Sequence, residues 1–124
     1  MTIYYLWGYI YLYNLVYFVR INGSCPISEW LDSQEVKVSA GFLAKFRMLE
    51  VEGLKLLNTN VIKHIVGQSH LYEIRYGRYR IITFFDERIN SFVLLNGFRK
   101  QKMNEQREIQ RGIKLKEEYL KTPL

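Results

Sequence analysis

The clearest hydrophobic pattern in the chain is an alternation that starts at Leu71. Over residues 71–76, Tyr72, Ile74 and Tyr76 alternate with the charged Glu73 and Arg75. A period of two is typical of a strand with one face in a core and the other toward solvent. Gly77 follows directly and permits a tight turn. The pattern therefore predicts the first arm of a hairpin.

Two further strands follow within a short distance. Residues 78–85 end in the run Ile81-Ile82-Thr83-Phe84-Phe85, which predicts burial on both faces and a central place in a sheet. Asp86-Glu87-Arg88 is a polar turn, and residues 91–95 form a third strand that ends at Asn96-Gly97. Connections this short make the three strands antiparallel neighbours.

Apolar residues at helical spacing predict helices on both sides of these strands. Pro26 is placed for a helix start, with Ser24 or Ser28 as caps, and a short amphipathic helix over residues 28–32 follows. A second helix spans about Val36 to Glu52 and stops at Gly53. The apolar residues of the two helices are Ile27, Trp30 and Leu31 in the first, and Phe42, Phe46, Leu49 and Leu43 in the second.

A last helix is predicted over residues 104–121, with Ile109, Ile113 and Leu120 along one side. Glu105 and Glu108 lie in its first turns and Lys114, Lys116 and Lys121 toward its end, an order that suits the helix dipole. Near the N-terminus, residues 11–21 favour a strand, and residues 1–10 form an aromatic lead-in. Residues 54–60 are expected to be a loop, and residues 61–66 a short strand.

The order of these elements predicts an α+β fold in a single domain over residues 1–124. Its sheet would have about four antiparallel strands, with two N-terminal helices and one C-terminal helix packed against it. A chain of 124 residues with 48% hydrophobic and 15% aromatic content can fill one core.

Charge and cysteine content narrow the possible environments and partners. The formal charge of +6 favours an anionic partner: nucleic acid, an acidic protein or a membrane surface. Cys25 is the single cysteine, so no intrachain disulfide is possible, and it is expected to be inert. A reducing cytoplasmic location fits that count.

A membrane role is the alternative raised by the uncharged, aromatic residues 3–19. This run lacks the basic start and small-residue cleavage site of a secretory signal. It is also too short and too rich in tyrosine for a spanning helix. We therefore expect no membrane partner, and a strand in this region instead.

Arginine is the residue type that most plausibly carries chemistry in this sequence. His64 and His70 have no further ligands at metal-binding spacing, so neither a metal nor another cofactor is expected. Pairing of the three strands should bring the cations to one end of the sheet, as a single patch interleaved with aromatic rings. Guanidinium forks bind phosphates and aromatic faces stack on bases, so single-stranded RNA fits such a patch. The residues concerned are Arg75, Arg78, Arg80, Arg99, Lys100 and Lys102, with Tyr76, Tyr79 and Phe98 among them.

The same cations also have an ordinary interpretation. Charged residues beside hairpin turns usually form a solvated face, and arginines routinely pair with carboxylates. A part of the patch could instead hold an acidic segment of a protein partner. The pattern alone leaves these readings open.

Several blocks of the chain resemble a known family. The resemblance extends over residues 11–121 and includes Ser24-Cys25-Pro26-Ile27-Ser28-Glu29-Trp30-Leu31 and the last helix. Its other blocks are Leu71-Tyr72-Glu73-Ile74-Arg75, Gly77-Arg78-Tyr79-Arg80-Ile81 and Phe92-Val93-Leu94-Leu95-Asn96-Gly97-Phe98-Arg99-Lys100. These resemble the RelE/ParE superfamily of toxins, in particular its HigB-like, phage-derived branch.

The resemblance implies a toxin of a type II toxin–antitoxin pair that cleaves messenger RNA on the ribosome. It implies a separate antitoxin, often a helix-turn-helix protein, as the partner. It assigns catalytic roles to Arg75, Arg80 and Arg99, and RNA binding to Arg78, Tyr79, Lys100 and Lys102. Cleavage would proceed by metal-independent attack of the ribose 2′-hydroxyl.

Two departures from the family pattern bear on activity. The threonines and proline that usually follow the third strand are absent, and the last helix has no tyrosine before Tyr119. No proton donor is evident among the cations, since arginine has a pKa above about 12. A ParE-like toxin that binds a topoisomerase without cutting RNA, or an inactive prophage remnant that only binds an antitoxin, are the alternatives.

Overall fold

A five-stranded mixed sheet lies between two helical layers. The structure is a computed structural model that describes residues 4–6 and 9–122, with side chains from Leu12 onward. Its strands are β1 (Tyr4–Leu6), β2 (Tyr9–Tyr11), β3 (Asn14–Tyr17), β4 (Ile62–His64), β5 (Leu71–Tyr76), β6 (Tyr79–Asp86) and β7 (Ser91–Arg99). The helices are α1 (Pro26–Asp32), α2 (Val36–Glu52) and α3 (Glu105–Leu120), with a 3₁₀ turn at Gly53–Leu56.

The strand order is β3-β7-β6-β5-β4, and β1 and β2 form a separate antiparallel pair. This confirms the α+β class and the central place of β6. The sheet has five strands where about four were predicted, and the expectation that all are antiparallel is wrong, because β3 runs parallel to β7. The predicted N-terminal strand also shortens to four residues. Of the predicted lead-in, residues 1–3 and 7–8 lie outside the described residues.

Each face of the sheet has its own apolar core, and β6 contributes to both. Ile81 packs with residues of α1 and α2 on one face. Ile82 packs with Leu115 and Tyr119 of α3 on the other. Consecutive strand residues point to opposite faces, so the uninterrupted apolar run of β6 fills two cores at once. We call these the α1/α2 face and the α3 face.

The helices mostly follow their predicted spacing. In α2, Phe42, Phe46 and Leu49 are buried as expected, whereas Leu43 is half exposed. At the start of α1, neither predicted serine cap is used. Cys25 is the N-cap residue and has no side-chain cap bond; its backbone N–H donates to Glu29 Oε2 at 3.0 Å. The predicted loop after α2 begins with the 3₁₀ turn.

Helix α3 buries a different set of residues from the predicted stripe. Leu115 and Tyr119 are buried, while Ile109 and Ile113 are only partly buried and Leu120 is exposed. The helix crosses the sheet at Gly112, where an added Cβ would lie 2.7 Å from Ile82 Cγ2. Among the described residues, no helix is long and apolar enough to cross a membrane.

Strand β7 continues four residues past its predicted end. Asn96-Gly97, expected to end the strand, pairs with Ile82 and Ile81 inside the sheet. The glycine is required by packing, because a Cβ on Gly97 would lie 2.2 Å from Trp30 Cε3 of α1. At the other end, Asp86 is a buried strand residue, so the predicted polar turn starts one residue later.

Candidate functional site

The predicted site residues gather at the end of the sheet formed by the β5–β6 turn and the last residues of β7. Arg75 pairs with Arg80 across the hairpin, and Tyr79 pairs with Arg99 on β7. This confirms that the arginines of three separate segments lie at the same end. We call residues 73–80 with 99–102 the cationic end.

The expectation that the cations at this end form a single patch is wrong, because they lie on two faces of the sheet. The register of β6 and β7 shifts by one residue between Ile82 and Thr83. A one-residue shift moves every later side chain to the other face. Arg99 therefore lies on the α1/α2 face with Tyr79, while Arg80 and its neighbour Phe98 lie on the α3 face.

On the α3 face, a buried carboxylate holds two arginines. Glu73 is 5% exposed. Arg75 donates to Glu73 Oε1 from Nε at 2.8 Å and from Nη2 at 2.6 Å. Arg80 Nε lies 3.6 Å from the same oxygen. The three side chains form an Arg–Glu–Arg cluster with one net positive charge.

Arg80 is the most buried of the predicted site residues, at 8% exposed. Its Nη1 donates to the carbonyl oxygens of Gly77 at 2.6 Å and Tyr79 at 3.0 Å, which closes the β5–β6 turn. Its Nε is buried and finds no hydrogen-bond acceptor among the described residues. Burial lowers the pKa of Arg80 from its usual value, and the charge of Glu73 partly opposes that effect.

On the opposite face, Arg99 and Tyr79 form an accessible pair. Arg99 is exposed, and its guanidinium carbon lies 6.0 Å from the centroid of the Tyr79 ring, at the outer limit of a cation–π contact. Tyr79 packs in turn against Trp30 of α1, with ring centroids 6.4 Å apart. A half-exposed ring beside a guanidinium can stack on a nucleobase while the cation binds the adjacent phosphate.

An open cleft of about 390 Å³ also lies at the cationic end, lined by Arg78, Lys100, Gln101 and Lys102. The backbone N–H of Lys100 donates to the Arg78 carbonyl at 2.7 Å, which holds the two segments together. Lys100 Nζ lies 3.8 Å from Glu105 Oε2 at the start of α3. The cleft therefore offers three exposed cations and one amide to an anionic ligand.

Glu73 is the site residue that sequence reasoning missed. Its position in an alternating strand indicated a solvated charge, and the side-chain packing that buries it cannot be read from local sequence. Both histidines lie toward the other end of the sheet: His64 pairs with Tyr72, and His70 immediately precedes β5. The described residues contain no group of three or more His, Cys, Asp or Glu that could hold a metal ion.

A scan against family models matches residues 29–118 to the family described as "Phage derived protein Gp49-like (DUF891)". The chain belongs to the Gp49-like family. The matched range includes all the strands of the cationic end and most of α3. A search of curated proteins finds no match for this Gp49-like chain.

The fold of this Gp49-like protein also occurs in a solved structure. It is similar to a chain of the toxin–antitoxin complex RelBE2 from Mycobacterium tuberculosis, at 16% sequence identity and a TM-score of 0.52. The match covers 73% of the present chain and 98% of that chain. At this identity the likeness shows the fold, and a RelE-like fold is what the sequence predicted.

Tyr119 of the Gp49-like chain has a structural position far from the cationic end. Its hydroxyl donates to Asp86 Oδ2 at 2.6 Å, and Asp86 also accepts from Arg88 Nε and Nη2. Asp86 lies six residues along β6 from Arg80, a distance of roughly 20 Å. Burial and the bond to Asp86 raise the pKa of Tyr119 to about 12. This tyrosine ties α3 to the sheet.

The Asp86 network should make stability fall in acid. Hydrogen bonds from Arg88 hold the pKa of Asp86 below its usual value. Its stabilising contribution is therefore complete above the unfolded pKa of about 3.9 and is lost as pH falls through the lower folded value. We expect Asp86→Asn to lower the free energy of unfolding at pH 7 and to weaken its decline toward pH 2.

Urea unfolding measured between pH 7 and pH 2 tests this expectation. Asp32→Asn is the matched control, because Asp32 is exposed at the end of α1. An Asp86→Asn protein whose stability depends on pH as steeply as that of the wild type would contradict the assignment.

Proposed function

We propose that this protein is the toxin of a type II toxin–antitoxin pair and acts as a HigB-like, ribosome-dependent mRNA endoribonuclease that inhibits translation. Its place of action would be the cytoplasm, and its partner an antitoxin of the helix-turn-helix class. The observation that carries the RNA half of the proposal is the cationic end, where arginines and lysines of three segments meet beside an accessible tyrosine.

Family and fold support the toxin half. The Gp49-like family has phage-derived members by its description, and the similar solved chain comes from a toxin–antitoxin complex. That complex pairs a toxin with an antitoxin. An antitoxin is the corresponding partner proposed for the present chain.

Contact chemistry supports RNA as the ligand. Arg78, Lys100 and Lys102 line an open cleft of about 390 Å³, and their chain neighbours Tyr79 and Arg99 add a stacking surface. Proteins that bind single strands combine such cations with aromatic rings. The RNA strand would cross the end of the sheet and reach the Arg75–Glu73–Arg80 cluster on the α3 face.

The chemistry assigned to this end is transesterification. The ribose 2′-oxygen attacks the adjacent phosphorus, the 5′-oxygen leaves with a proton, and a 2′,3′-cyclic phosphate remains. Arg75, Arg80 and Arg99 are the candidates for stabilising the charge of the pentavalent phosphate, which positioned donors do most effectively in a partly dry site. Because Arg99 occupies the other face, Arg75 and Arg80 act together and Arg99 holds a neighbouring phosphate.

Cleavage also requires proton transfer, and the described residues of the cationic end include no evident general acid or base. Its arginines are poor acids and bases, and both histidines lie toward the opposite end of the sheet. Alignment of the 2′-hydroxyl by the ribosome would compensate by orienting the attack. The same observation favours the second candidate function, a ParE-like toxin that binds a topoisomerase through this end without cutting RNA.

Inducing the chain in growing cells and mapping transcript ends tests the proposal. New 5′ ends within reading frames, together with arrested translation and normal DNA supercoiling, are the expected result. Blocked supercoiling without new transcript ends would assign the ParE-like function instead. Normal growth with neither effect would leave only an antitoxin-binding role.

The cleft cations should control the salt dependence of RNA binding. For single strands, the slope of log K against log salt is about −0.7 per phosphate neutralised. We expect the triple variant Arg78→Ala/Lys100→Ala/Lys102→Ala to reduce the magnitude of that slope by about 2. Titration of a labelled oligoribonucleotide at several salt concentrations measures it.

The matched control removes three exposed lysines away from the cationic end, in the variant Lys37→Ala/Lys55→Ala/Lys121→Ala. It lowers the net charge by the same amount. An equal change of slope in both variants would show that overall charge, and not the cleft, governs binding.

A further inference from the structure

A buried carboxylate among the cations of this site has no role in the chemistry described so far. We propose that Glu73 is a positioning residue, which holds the guanidinium groups of Arg75 and Arg80 as one preorganised unit for the RNA phosphate. This inference rests on the proposed endoribonuclease function. Glu73 acts through the arginines and does not itself touch RNA.

The first argument is the register of the hairpin. Arg75 and Arg80 are directly opposite each other on neighbouring strands, a placement in which like charges repel. Glu73 lies on the same face, two residues from Arg75, and one of its oxygens faces both guanidinium groups, at 2.6–2.8 Å and 3.6 Å. The negative charge of Glu73 therefore offsets the repulsion between the two guanidinium groups and allows them to lie close together.

The second argument is the energetic cost of the arrangement. Glu73 faces Ile82 on β6, which belongs to the apolar core of the α3 face. Lys63 on β4 pairs with Glu73 across the strands and is exposed, and Glu105 at the start of α3 interacts electrostatically with Arg80. A buried ion cluster is seldom more stable than apolar residues of the same volume. Stability does not account for this cluster, whereas the orientation of two phosphate-binding groups does.

The third argument is the unpaired Nε of Arg80. Both close bonds to Glu73 Oε1 come from Arg75, so Arg80 Nε is buried without an acceptor in the described residues. When Arg75 turns toward a bound phosphate, it releases Oε1. Glu73 can then accept from Arg80 Nε after a movement of under about 1 Å, since a hydrogen bond needs about 2.9 Å. The carboxylate thus remains paired throughout binding.

Single-turnover cleavage of ribosome-bound mRNA tests the inference, with ribosome affinity and melting temperature measured on the same proteins. We expect Glu73→Gln to fold and to bind ribosomes within about threefold of wild type, and to cleave at least about 30-fold more slowly. Its pH–rate profile should keep the wild-type shape, because Glu73 transfers no proton. The matched control is Glu52→Gln on the exposed side of α2, which should cleave at the wild-type rate.

Every outcome of these measurements either supports or overturns the positioning role of Glu73. Three results for Glu73→Gln would overturn the positioning role. They are a wild-type cleavage rate, a loss of ribosome affinity in proportion to the loss of rate, and the loss of one limb of the pH–rate profile. If Glu73→Gln does not fold, Glu73→Asp decides instead: a folded protein at least threefold slower at unchanged affinity supports the role, and a wild-type rate overturns it. Failure of the proposed function is seen separately, as absence of cleavage by the wild-type protein, and it overturns both.

Discussion

Replacing Arg80 with alanine is expected to abolish growth inhibition and to lower the rate of mRNA cleavage by at least about 100-fold. Removal of one positioned donor from an oxyanion-type site typically costs that much. The loss should be larger than for Arg99→Ala, because Arg99 is exposed on the other face of the sheet and binds a neighbouring phosphate. Induction in cells and cleavage of ribosome-bound mRNA are the measurements.

The structure predicts a second effect of this substitution, which the control must separate from the first. Arg80 Nη1 donates to the carbonyls of Gly77 and Tyr79, so alanine should also lower the free energy of unfolding, by about 1–3 kcal/mol. The protein should nevertheless stay folded at 25 °C. Arg80→Lys keeps the charge without the planar fork and should be folded but still slow.

Arg47→Ala on α2 is the matched control, because Arg47 is exposed and lies far from the cationic end in the fold. It should remain toxic. Arg80→Ala and Arg99→Ala proteins that are both as toxic as wild type would show that the catalytic site lies elsewhere.

Gly97→Val is expected to cause the largest loss of stability, about 3 kcal/mol or more. A Cβ at this position would lie 2.2 Å from Trp30 Cε3. Trp30 cannot move away freely, because it packs against Phe42 at a centroid distance of 5.7 Å and against Tyr79. Overpacking of a filled core costs about 1–3 kcal/mol, and a branched side chain in the middle of β7 allows little relief.

A double-mutant cycle tests the stated cause. Gly97→Ala should be strongly destabilising in the wild-type background and much less so with Trp30→Leu, which removes the contacting ring. Denaturant midpoints at constant m-value give the free energies. Additive effects of the two substitutions would show that the Trp30 contact is not the reason for glycine.

Local pattern was sufficient for the elements whose partners are close in sequence. The alternation of residues 71–76, the turn at Gly77 and the two-faced β6 follow from side-chain period and glycine geometry. The boundaries of α2 at Val36 and Glu52 were likewise predicted, because its apolar spacing and Gly53 both mark them. The common end for the arginines followed from antiparallel pairing alone.

The remaining features depend on contacts distant in sequence. The parallel pairing of β3 with β7 has no signature in the local sequence. Asn96-Gly97 has the composition of a turn, and only its contact with Trp30 explains why the glycine lies inside a strand. The shift at Ile82 and Thr83 is a single register step, yet it moves Arg99 to the other face. The alternation of β5 alone gave no sign that Glu73 is buried.

The pairing of β3 with β7 has a further consequence for how the protein forms. Strand β3 ends at Tyr17 and its partner begins only at Ser91, so this edge of the sheet closes a long loop. Closure of such a loop loses conformational entropy before the stabilising contacts form, and folds with high contact order therefore form slowly. During synthesis, the hairpin of β5 and β6 can form early, whereas the cationic end is complete only after β7 and the first turn of α3 have emerged. We therefore expect each new copy of the chain to pass through an inactive interval between translation and activity.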